Sequence, residues 1–307
     1  MTTTEISHAR DLISLEGLSA EEISSILEEA RRLRDHIRGD ELASRVVANL
    51  FFENSTRTRC SFEVAAARLG AHPLNLTSVG SSAAKGESLV DTALQLEAMG
   101  VDAIVVRTGI NGGPMMVAEA CDTPVINAGD GRHEHPTQAL LDLFVMCEHF
   151  GSLAGRQIAI VGDILNSRVA RSNVHGLGAL GADVILVGPP TMLDESFESV
   201  GRPGGVRIAH DLDEVLEAVD VVMMLRIQRE RGSDAGIASD YRRLYGMTAE
   251  RAKRLREEQL LMHPGPINHG VEIDSSVLTS CSSSVILQQV AAGVFVRAAT
   301  LMRAIRP

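Results

Sequence analysis

Apolar and polar positions alternate along the chain in two distinct rhythms. Apolar residues spaced three or four positions apart predict helices at residues 20–36, 138–150, 168–180 and 285–305. Short continuous apolar runs predict buried strands at residues 46–52, 103–106, 157–161, 183–187 and 219–225. Buried strands that alternate with helices are typical of parallel sheets covered on both faces. The pattern therefore predicts an α/β fold.

The alternating pattern is interrupted once, near residues 150–155, and a second series begins at Gln157. We therefore predict two doubly wound parallel-sheet α/β domains linked by helices. The first domain should comprise residues 1–148, and the second residues 149–285. The C-terminal helix, residues 286–307, has a face of small residues. We expect it to pack back on the first domain.

Composition narrows the possible functions. The chain has 307 residues, 45% of them hydrophobic, and a net charge of -11. An acidic chain lacks the concentrated basic face of a nucleic-acid-binding protein. No segment approaches the ~18 consecutive apolar residues of a membrane span, and the N-terminus lacks the apolar core of a signal peptide. The four cysteines are widely spaced, which predicts buried, reduced thiols in a cytoplasmic protein.

Four short segments concentrate side chains that suit oxyanions: Ser55–Arg59, Ser81–Glu87 with Lys85, His135–Gln138 and Arg226–Gln228. Ser55 stands where it can cap a helix that runs to Leu69, so free backbone N–H groups and guanidinium groups would meet one anion. Ser55, Arg107, His135, Arg226 and His263–Pro266 all follow predicted strands. Ligands of open α/β sheets bind beyond the carboxyl ends of strands. The pattern predicts a pocket for a small, multiply charged anion.

Three other motifs are better explained without a cofactor. Lys85 precedes a glycine rather than following one, so Gly80–Ser88 does not match a nucleotide P-loop. Gly176–Gly181 has the spacing of a dinucleotide fingerprint but closes a helix instead of opening one. His133 and His135 have the spacing of some zinc hydrolases, with His263 and His269 as further ligands. Pro136 to Gln138 favour a hydrogen-bonding turn there over a metal site.

These residues together resemble the catalytic chains of the aspartate carbamoyltransferase family. The matching motifs follow the family's order along nearly the whole chain: Phe52–Arg59, Gly80–Glu87, Asn127–Gly131, His135–Gln138, Val161–Asp163, Ser167–Ser172, Arg226–Gln228 and His263–Pro266. The resemblance implies that carbamoyl phosphate and L-aspartate give N-carbamoyl-L-aspartate and phosphate. This reaction is the first committed step of de novo pyrimidine synthesis. It implies no metal and no cofactor.

The resemblance also assigns residues to each substrate. Carbamoyl phosphate would be bound in the first domain and aspartate in the second. The residues implied for carbamoyl phosphate are Ser55, Thr56, Arg57, Thr58, Ser81, Lys85, Arg107, His135, Gln138, Gly265 and Pro266. Those implied for aspartate are Lys85, Arg168, Arg226 and Gln228. The catalytic role would fall to Arg57, Thr58, Lys85, Arg107 and His135.

The resemblance further implies a homotrimer in which Ser81 and Lys85 reach the site of a neighbouring subunit. The sequence leaves open whether regulatory or dihydroorotase chains join a higher assembly. It departs from the usual family pattern at Thr108-Gly109 and at His269. Three alternatives also stay open: transfer to another amine such as ornithine, a zinc amidohydrolase, and an inactive anion-binding partner.

Overall fold

The computed structural model describes residues 10–77, 87–200, 205–227 and 235–306. Three residues of the predicted site, Ser81, Lys85 and Gln228, lie outside these ranges. The chain divides into two compact units. The first comprises Met1–Leu141 and Ala291–Pro307, and the second comprises Asp142–Val290.

The first unit is built on a four-stranded parallel sheet with the order β2-β1-β3-β4. Its strands are β1 (Val46–Phe51), β2 (His72–Thr77), β3 (Ala103–Thr108) and β4 (Val125–Asp130). Its helices are α1 (Ala20–His36), α2 (Thr56–Arg68), α3 (Leu89–Ala98), α4 (Gly113–Ala120) and the start of α5 (Pro136–Phe150). After β1 the chain places β2 on one side and β3 on the other. Strand order therefore reverses between β1 and β3, where open α/β sheets form ligand crevices.

Local sequence explains where these helices begin. The Ser19 hydroxyl accepts a hydrogen bond from the Glu22 backbone N–H, and the Ser19 backbone N–H donates to the Glu22 carboxylate, which closes a capping box at the start of α1. Helix α5 begins at Pro136, two residues before the predicted start. Proline suits the first turn of a helix because it has no N–H to leave unsatisfied.

The second unit is built on a five-stranded parallel sheet with the order β7-β6-β5-β8-β9. Its strands are β5 (Gln157–Val161), β6 (Asp183–Val187), β7 (Val206–Ala209), β8 (Val221–Met224) and β9 (Leu260–Met262). Its helices are α6 (Arg168–Ala179), α7 (Leu212–Val215), α8 (Ala235–Tyr245), α9 (Ala249–Ala252) and α10 (Val277–Ser280), with a 3-10 helix at Glu195–Ser199. Here the strand order reverses between β5 and β8. The glycine-rich segment Gly176–Gly181 closes α6, as predicted.

The last helix, α11 (Ile286–Ile305), places its C-terminal part in the first unit. The buried guanidinium of Arg297 donates to Ser61 Oγ on α2 at 2.8 Å, and Gly293 leaves the space that this guanidinium fills. Arg303 donates to the backbone carbonyls of Arg10 and Asp11. The predicted fold class is confirmed: two parallel-sheet α/β domains, with the C-terminal helix packed on the first.

Several local predictions need correction. Strand β3 runs on through Arg107 to Thr108, because its ladder with β4 continues across a register shift. Of the four cysteines only Cys121 is buried, and Cys60 is exposed on α2.

Within the described ranges, none of the helices combines the length and the apolar character needed to cross a membrane.

Candidate active site

Three adjacent strands bring the polar residues of the first unit to one edge of its sheet. Ser55 follows β1, Arg107 lies at the end of β3, and His135 follows β4. Because the strands are parallel, their carboxyl ends meet at that edge, next to the point where strand order reverses. A backbone hydrogen bond joins the ends of β1 and β3, since the Phe52 N–H donates to the Arg107 carbonyl at 2.8 Å.

The start of α2 supplies donors at this edge. Thr56 and Arg57 are exposed, whereas Thr58 is buried, and the first turn contains no acidic residue. Ser55 occupies the N-cap position as predicted, but among the described residues its side chain makes no capping hydrogen bond. Its backbone is not in the usual capping conformation (φ -156°, ψ 88°). The hydroxyl is therefore not used to cap the helix.

The guanidinium of Arg107 is buried and held in place. It donates to the Ala128 carbonyl at 3.0 Å and forms an ion pair with Glu53, at 3.4 Å between Nη2 and Oε2. Glu53 belongs to the loop after β1, and Ala128 belongs to β4. Arg107 is thus held by residues from both neighbouring strands, β4 on one side and the loop after β1 on the other. A guanidinium held in this way can bind a ligand in one fixed geometry.

The loop before His135 is organised by a buried carboxylate that the sequence did not single out as structural. Asp130 accepts hydrogen bonds from four groups: the Gly112 N–H, the Asn127 side chain, the Glu134 N–H and the His133 ring. Burial opposes ionisation of Asp130, but these hydrogen bonds together bring its pKa below the usual value. The hydrogen bond to Asp130 also raises the pKa of His133.

Glu134 ties the same loop to the N-terminal segment. Its carboxylate accepts hydrogen bonds from the Ser14 hydroxyl and from the Leu15 N–H, the latter at 3.0 Å. The next residue, His135, is buried, and its carbonyl accepts the Gln138 N–H at 3.0 Å. The Glu134 carboxylate is thus engaged by the N-terminal segment, and the His133 ring is oriented by Asp130. The hydroxyl, guanidinium and helix N–H donors at the same sheet edge suit an anion.

In the second unit, Arg168 and Arg226 each lie beyond the carboxyl end of one of the two strands that flank the reversal of strand order. Arg168 begins α6 beyond the end of β5, where the Ser167 hydroxyl accepts the Ala170 N–H at 3.1 Å. Arg226 lies two residues beyond the end of β8. Both side chains are half-buried. Gly162 follows β5 with φ +144°, and a Cβ there would lie 2.9 Å from the Leu225 Cβ, so a side chain would force these strand ends apart.

The segment after β9 is also internally fixed. His263 Nδ1 accepts the Gly265 N–H at 2.8 Å, so the ring proton of the neutral imidazole is assigned to Nε2. The His263 N–H donates to Gln289, whose amide donates in turn to the buried Asp142 at 2.8 Å. Gly265 is half-buried and Pro266 is exposed. His269 is exposed, with its ring 3.4 Å from the Ser275 hydroxyl.

The described part of the predicted site thus falls into two sets. The first unit carries Ser55, Thr56, Arg57, Thr58, Arg107, His135 and Gln138, and the second carries Arg168, Arg226, Gly265 and Pro266. Chemically, the first set offers hydroxyl, guanidinium, imidazole and helix N–H donors, which suit a phosphate group. The second set offers guanidinium groups that suit carboxylates.

Family comparison matches both halves of the chain. Residues 10–148 match the carbamoyl-P binding domain of aspartate/ornithine carbamoyltransferases, and residues 154–304 match their Asp/Orn binding domain. The aspartate carbamoyltransferase catalytic subunit of Myxococcus xanthus is 50% identical over 299 residues, which cover 95% of this chain and 98% of that one.

Solved structures resemble the chain over nearly its whole length. Aspartate transcarbamoylase of Trypanosoma cruzi, solved with carbamoyl phosphate and aspartate, has a TM-score of 0.86 at 30% identity and covers 97% of each chain. Ornithine carbamoyltransferase of Thermus thermophilus also has a TM-score of 0.86, at 26% identity, over 98% of this chain and 100% of that one. Backbone shape alone therefore does not distinguish the two amine substrates.

Proposed function

Because the chain belongs to the aspartate/ornithine carbamoyltransferase family, we propose that it transfers the carbamoyl group of carbamoyl phosphate to the amine of L-aspartate. The products are N-carbamoyl-L-aspartate and phosphate, and the reaction is the first committed step of pyrimidine synthesis. The observation that carries the proposal is the placement of Ser55, Arg107 and His135 at one sheet edge, at the strand-order reversal.

Carbamoyl phosphate has two parts that the first unit can treat differently. The exposed donors at the start of α2, Thr56 and Arg57, suit the phosphate dianion, with Ser55 and Thr58 beside them. The buried Arg107 and His135 suit the carbonyl oxygen, since Arg107 is held by Ala128 and Glu53 and His135 is buried beside it at the same sheet edge. Gln138, Gly265 and Pro266 would contact the amide and carbamoyl groups, as the family resemblance implies.

The chemistry then follows from charge. The unprotonated amine of aspartate attacks the carbonyl carbon, and negative charge grows on the carbonyl oxygen. A positioned donor aimed at such an oxyanion contributes about 3–4 kcal/mol to rate acceleration, and Arg107 and His135 supply two. The C–O bond to phosphate breaks, and phosphate leaves with the electron pair and accepts the amine proton. Holding two anions side by side provides a further entropic advantage.

Charge also favours aspartate over ornithine as the acceptor. Arg168 and Arg226 flank the strand-order reversal of the second sheet, and guanidinium groups pair with carboxylates. Aspartate has two carboxylates for the two arginines. Ornithine attacks through its neutral side-chain amine, so it offers the arginines one carboxylate beside an α-ammonium group that they would repel. The match to an aspartate carbamoyltransferase at 50% identity supports the same choice. Gln228 would complete the set, as the resemblance implies.

The assembly proposed here is a cytoplasmic homotrimer with shared active sites. The family resemblance supports it, since Ser81 and Lys85 of one subunit would serve the site of the next. Regulatory or dihydroorotase chains joining a higher assembly would be compatible with this arrangement.

The site assignment is tested by removing one donor from each part of the carbamoyl phosphate set. Arg57→Ala and His135→Ala should each lower kcat by about 100-fold or more, because each removes a donor to developing charge. The matched control is Arg32→Ala, since Arg32 is an exposed arginine on α1 whose guanidinium pairs with Glu29. Near-normal kcat in both site variants, with unchanged thermal stability, would overturn the assignment.

A further inference from the structure

A single residue, Ile227, stands in the sequence between Arg226 and Gln228, which we assign to aspartate, and both backbone groups of Ile227 are hydrogen-bonded. The Ile227 N–H donates to Glu272 Oε1 at 2.7 Å, and the Ile227 carbonyl accepts from Asn268 Nδ2 at 2.9 Å. We propose that Glu272 and Asn268 are positioning residues that hold the backbone of Ile227, and through it the neighbouring Arg226, for aspartate. The inference rests on the function proposed above.

The two gripping side chains are themselves locked together. Asn268 Nδ2 also donates to Glu272 Oε1 at 2.8 Å, and the Asn268 backbone N–H donates to Glu272 Oε2 at 2.9 Å. The Glu272 carboxylate therefore accepts three hydrogen bonds, and Glu272 is fully buried. Its backbone is fixed as well, since its carbonyl accepts the Met247 N–H at 2.7 Å. Each member of this clamp has one arrangement that satisfies the others.

The clamp acts where the sheet stops holding the chain. Strand β8 ends at Met224, and the last ladder-like bond beyond it joins the Leu225 N–H to the Val161 carbonyl at 2.8 Å. From Ile227 onward, no neighbouring strand fixes the backbone direction within the described residues. The Ile227 side chain is buried in the core of the second unit. Glu272 and Asn268 thus provide the hydrogen bonds that fix the backbone of Ile227, where the sheet no longer does so.

The same clamp connects two parts of the proposed site. Asn268 lies two residues after Pro266, in the segment that we assign to the carbamoyl group. When its side chain holds the Ile227 carbonyl, it sets the distance between this segment and the aspartate segment. Small displacements of binding groups are costly to an enzyme that must align two substrates. This gives the clamp a direct link to aspartate binding.

The chemistry of the clamp requires a carboxylate rather than an amide. All three groups that face Glu272 are N–H donors, so a carboxylate satisfies them and an amide would turn its own NH2 towards one of them. Elsewhere in the same unit the chain uses glutamine for the opposite task. The buried Gln259 amide donates to the Leu216 and Val219 carbonyls at 2.8 and 2.7 Å. Gln259 precedes β9, at the amino end of the strand, so it provides a matched structural control.

The test is steady-state kinetics of the full-length enzyme with each substrate varied in turn. Asn268→Ala and Glu272→Gln should each raise KM for aspartate by about tenfold, the effect of losing one hydrogen bond of about 1.4 kcal/mol. KM for carbamoyl phosphate should stay within about twofold, because the Gly265-Pro266 segment keeps its own hydrogen bond from the Gly265 N–H to His263 Nδ1. The control Gln259→Ala should lower the melting temperature and leave both KM values unchanged.

Two further measurements separate positioning from general destabilisation. Adding Asn268→Ala to Arg226→Ala should raise KM for aspartate little beyond Arg226→Ala alone, because the clamp acts through that arginine. Asn268→Ser, which is smaller and keeps a hydroxyl donor, replaces Asn268→Ala if the latter fails to fold. If KM for aspartate is unchanged in the folded variants, or if both KM values rise equally, the clamp is refuted while the proposed function stands. A wild-type enzyme that carbamoylates no amine would remove the proposed function and this inference together.

Discussion

Removing the carboxylate of Glu134 should loosen the N-terminal segment that it anchors. This carboxylate accepts hydrogen bonds from the Ser14 hydroxyl and from the Leu15 N–H. Leu15 is 1% exposed, so its N–H stays buried when the acceptor is lost. We therefore expect Glu134→Ala to leave two donors unsatisfied next to the loop that carries His135.

The size of the effect follows from the number of bonds lost. A hydrogen bond to a charged group contributes about 1.5–3 kcal/mol, so two of them amount to about 3–6 kcal/mol. This is a large part of the roughly 5–15 kcal/mol that stabilises a typical domain. Glu134→Gln keeps one acceptor oxygen, and we expect about half of the loss. Leu12 remains paired with Val125 and Asn127, which should confine the opening to residues after it.

Hydrogen exchange read by mass spectrometry measures this opening at the peptide that contains Leu15. A loss of about 3–6 kcal/mol should raise its exchange rate by roughly 100-fold to 20000-fold in Glu134→Ala, with a smaller increase in Glu134→Gln. Glu28→Ala provides the control, because the Glu28 side chain is exposed on α1, away from the anchored amide. An exchange rate in Glu134→Ala within a factor of three of the wild type would refute the reasoning.

Two other predictions concern assembly and acid stability. Inactive Lys85→Ala and Arg57→Ala subunits, mixed and reassembled, should recover activity if Lys85 serves a neighbour's site, and no recovery would contradict shared sites. Arg251 pairs with Asp213 at 2.6 Å, and its hydrogen bond lowers the pKa of that carboxyl. The resulting stability is present above the ordinary carboxyl pKa and is lost as pH falls through the lowered one. The urea midpoint of wild type should therefore fall more steeply between about pH 4 and pH 2 than that of Asp213→Asn, and parallel curves would contradict the pairing.

Most of the fold could be predicted because buried parallel strands are read directly from apolar runs. Strands β5 and β6 have the predicted bounds, and so does helix α1. The exposed edge strand β2 could not be found in this way. Its sequence, His72–Thr77, contains a proline and alternates between apolar and polar residues only over Leu74–Thr77, which is too short a stretch to identify a strand. Its ladder with β1 makes it a strand. Strand β9 has three residues, too few to show any period.

The residues of the candidate site also differ in whether the sequence could identify them. Residues directly after strands, such as Ser55 and Arg226, could be identified because sequence position alone places them at a sheet edge. The buried carboxylates that hold the neighbouring loops in place could not be identified from the sequence. Glu134 lies 119 residues from the amide of Leu15, and Glu272 lies 45 residues from that of Ile227. Buried carboxylates that accept backbone N–H groups have no local sequence pattern, since their partners are set by tertiary packing.

Carbamoyl transfer with the two candidate amines side by side tests the central claim most directly. The purified wild-type chain would be given radiolabelled carbamoyl phosphate with L-aspartate or with L-ornithine, and the labelled product of each would be separated and counted. The arginines assigned to the amine substrate predict N-carbamoyl-L-aspartate as the dominant product, with little labelled citrulline. Preferential labelling of ornithine, or no labelled product from either amine, would contradict the account.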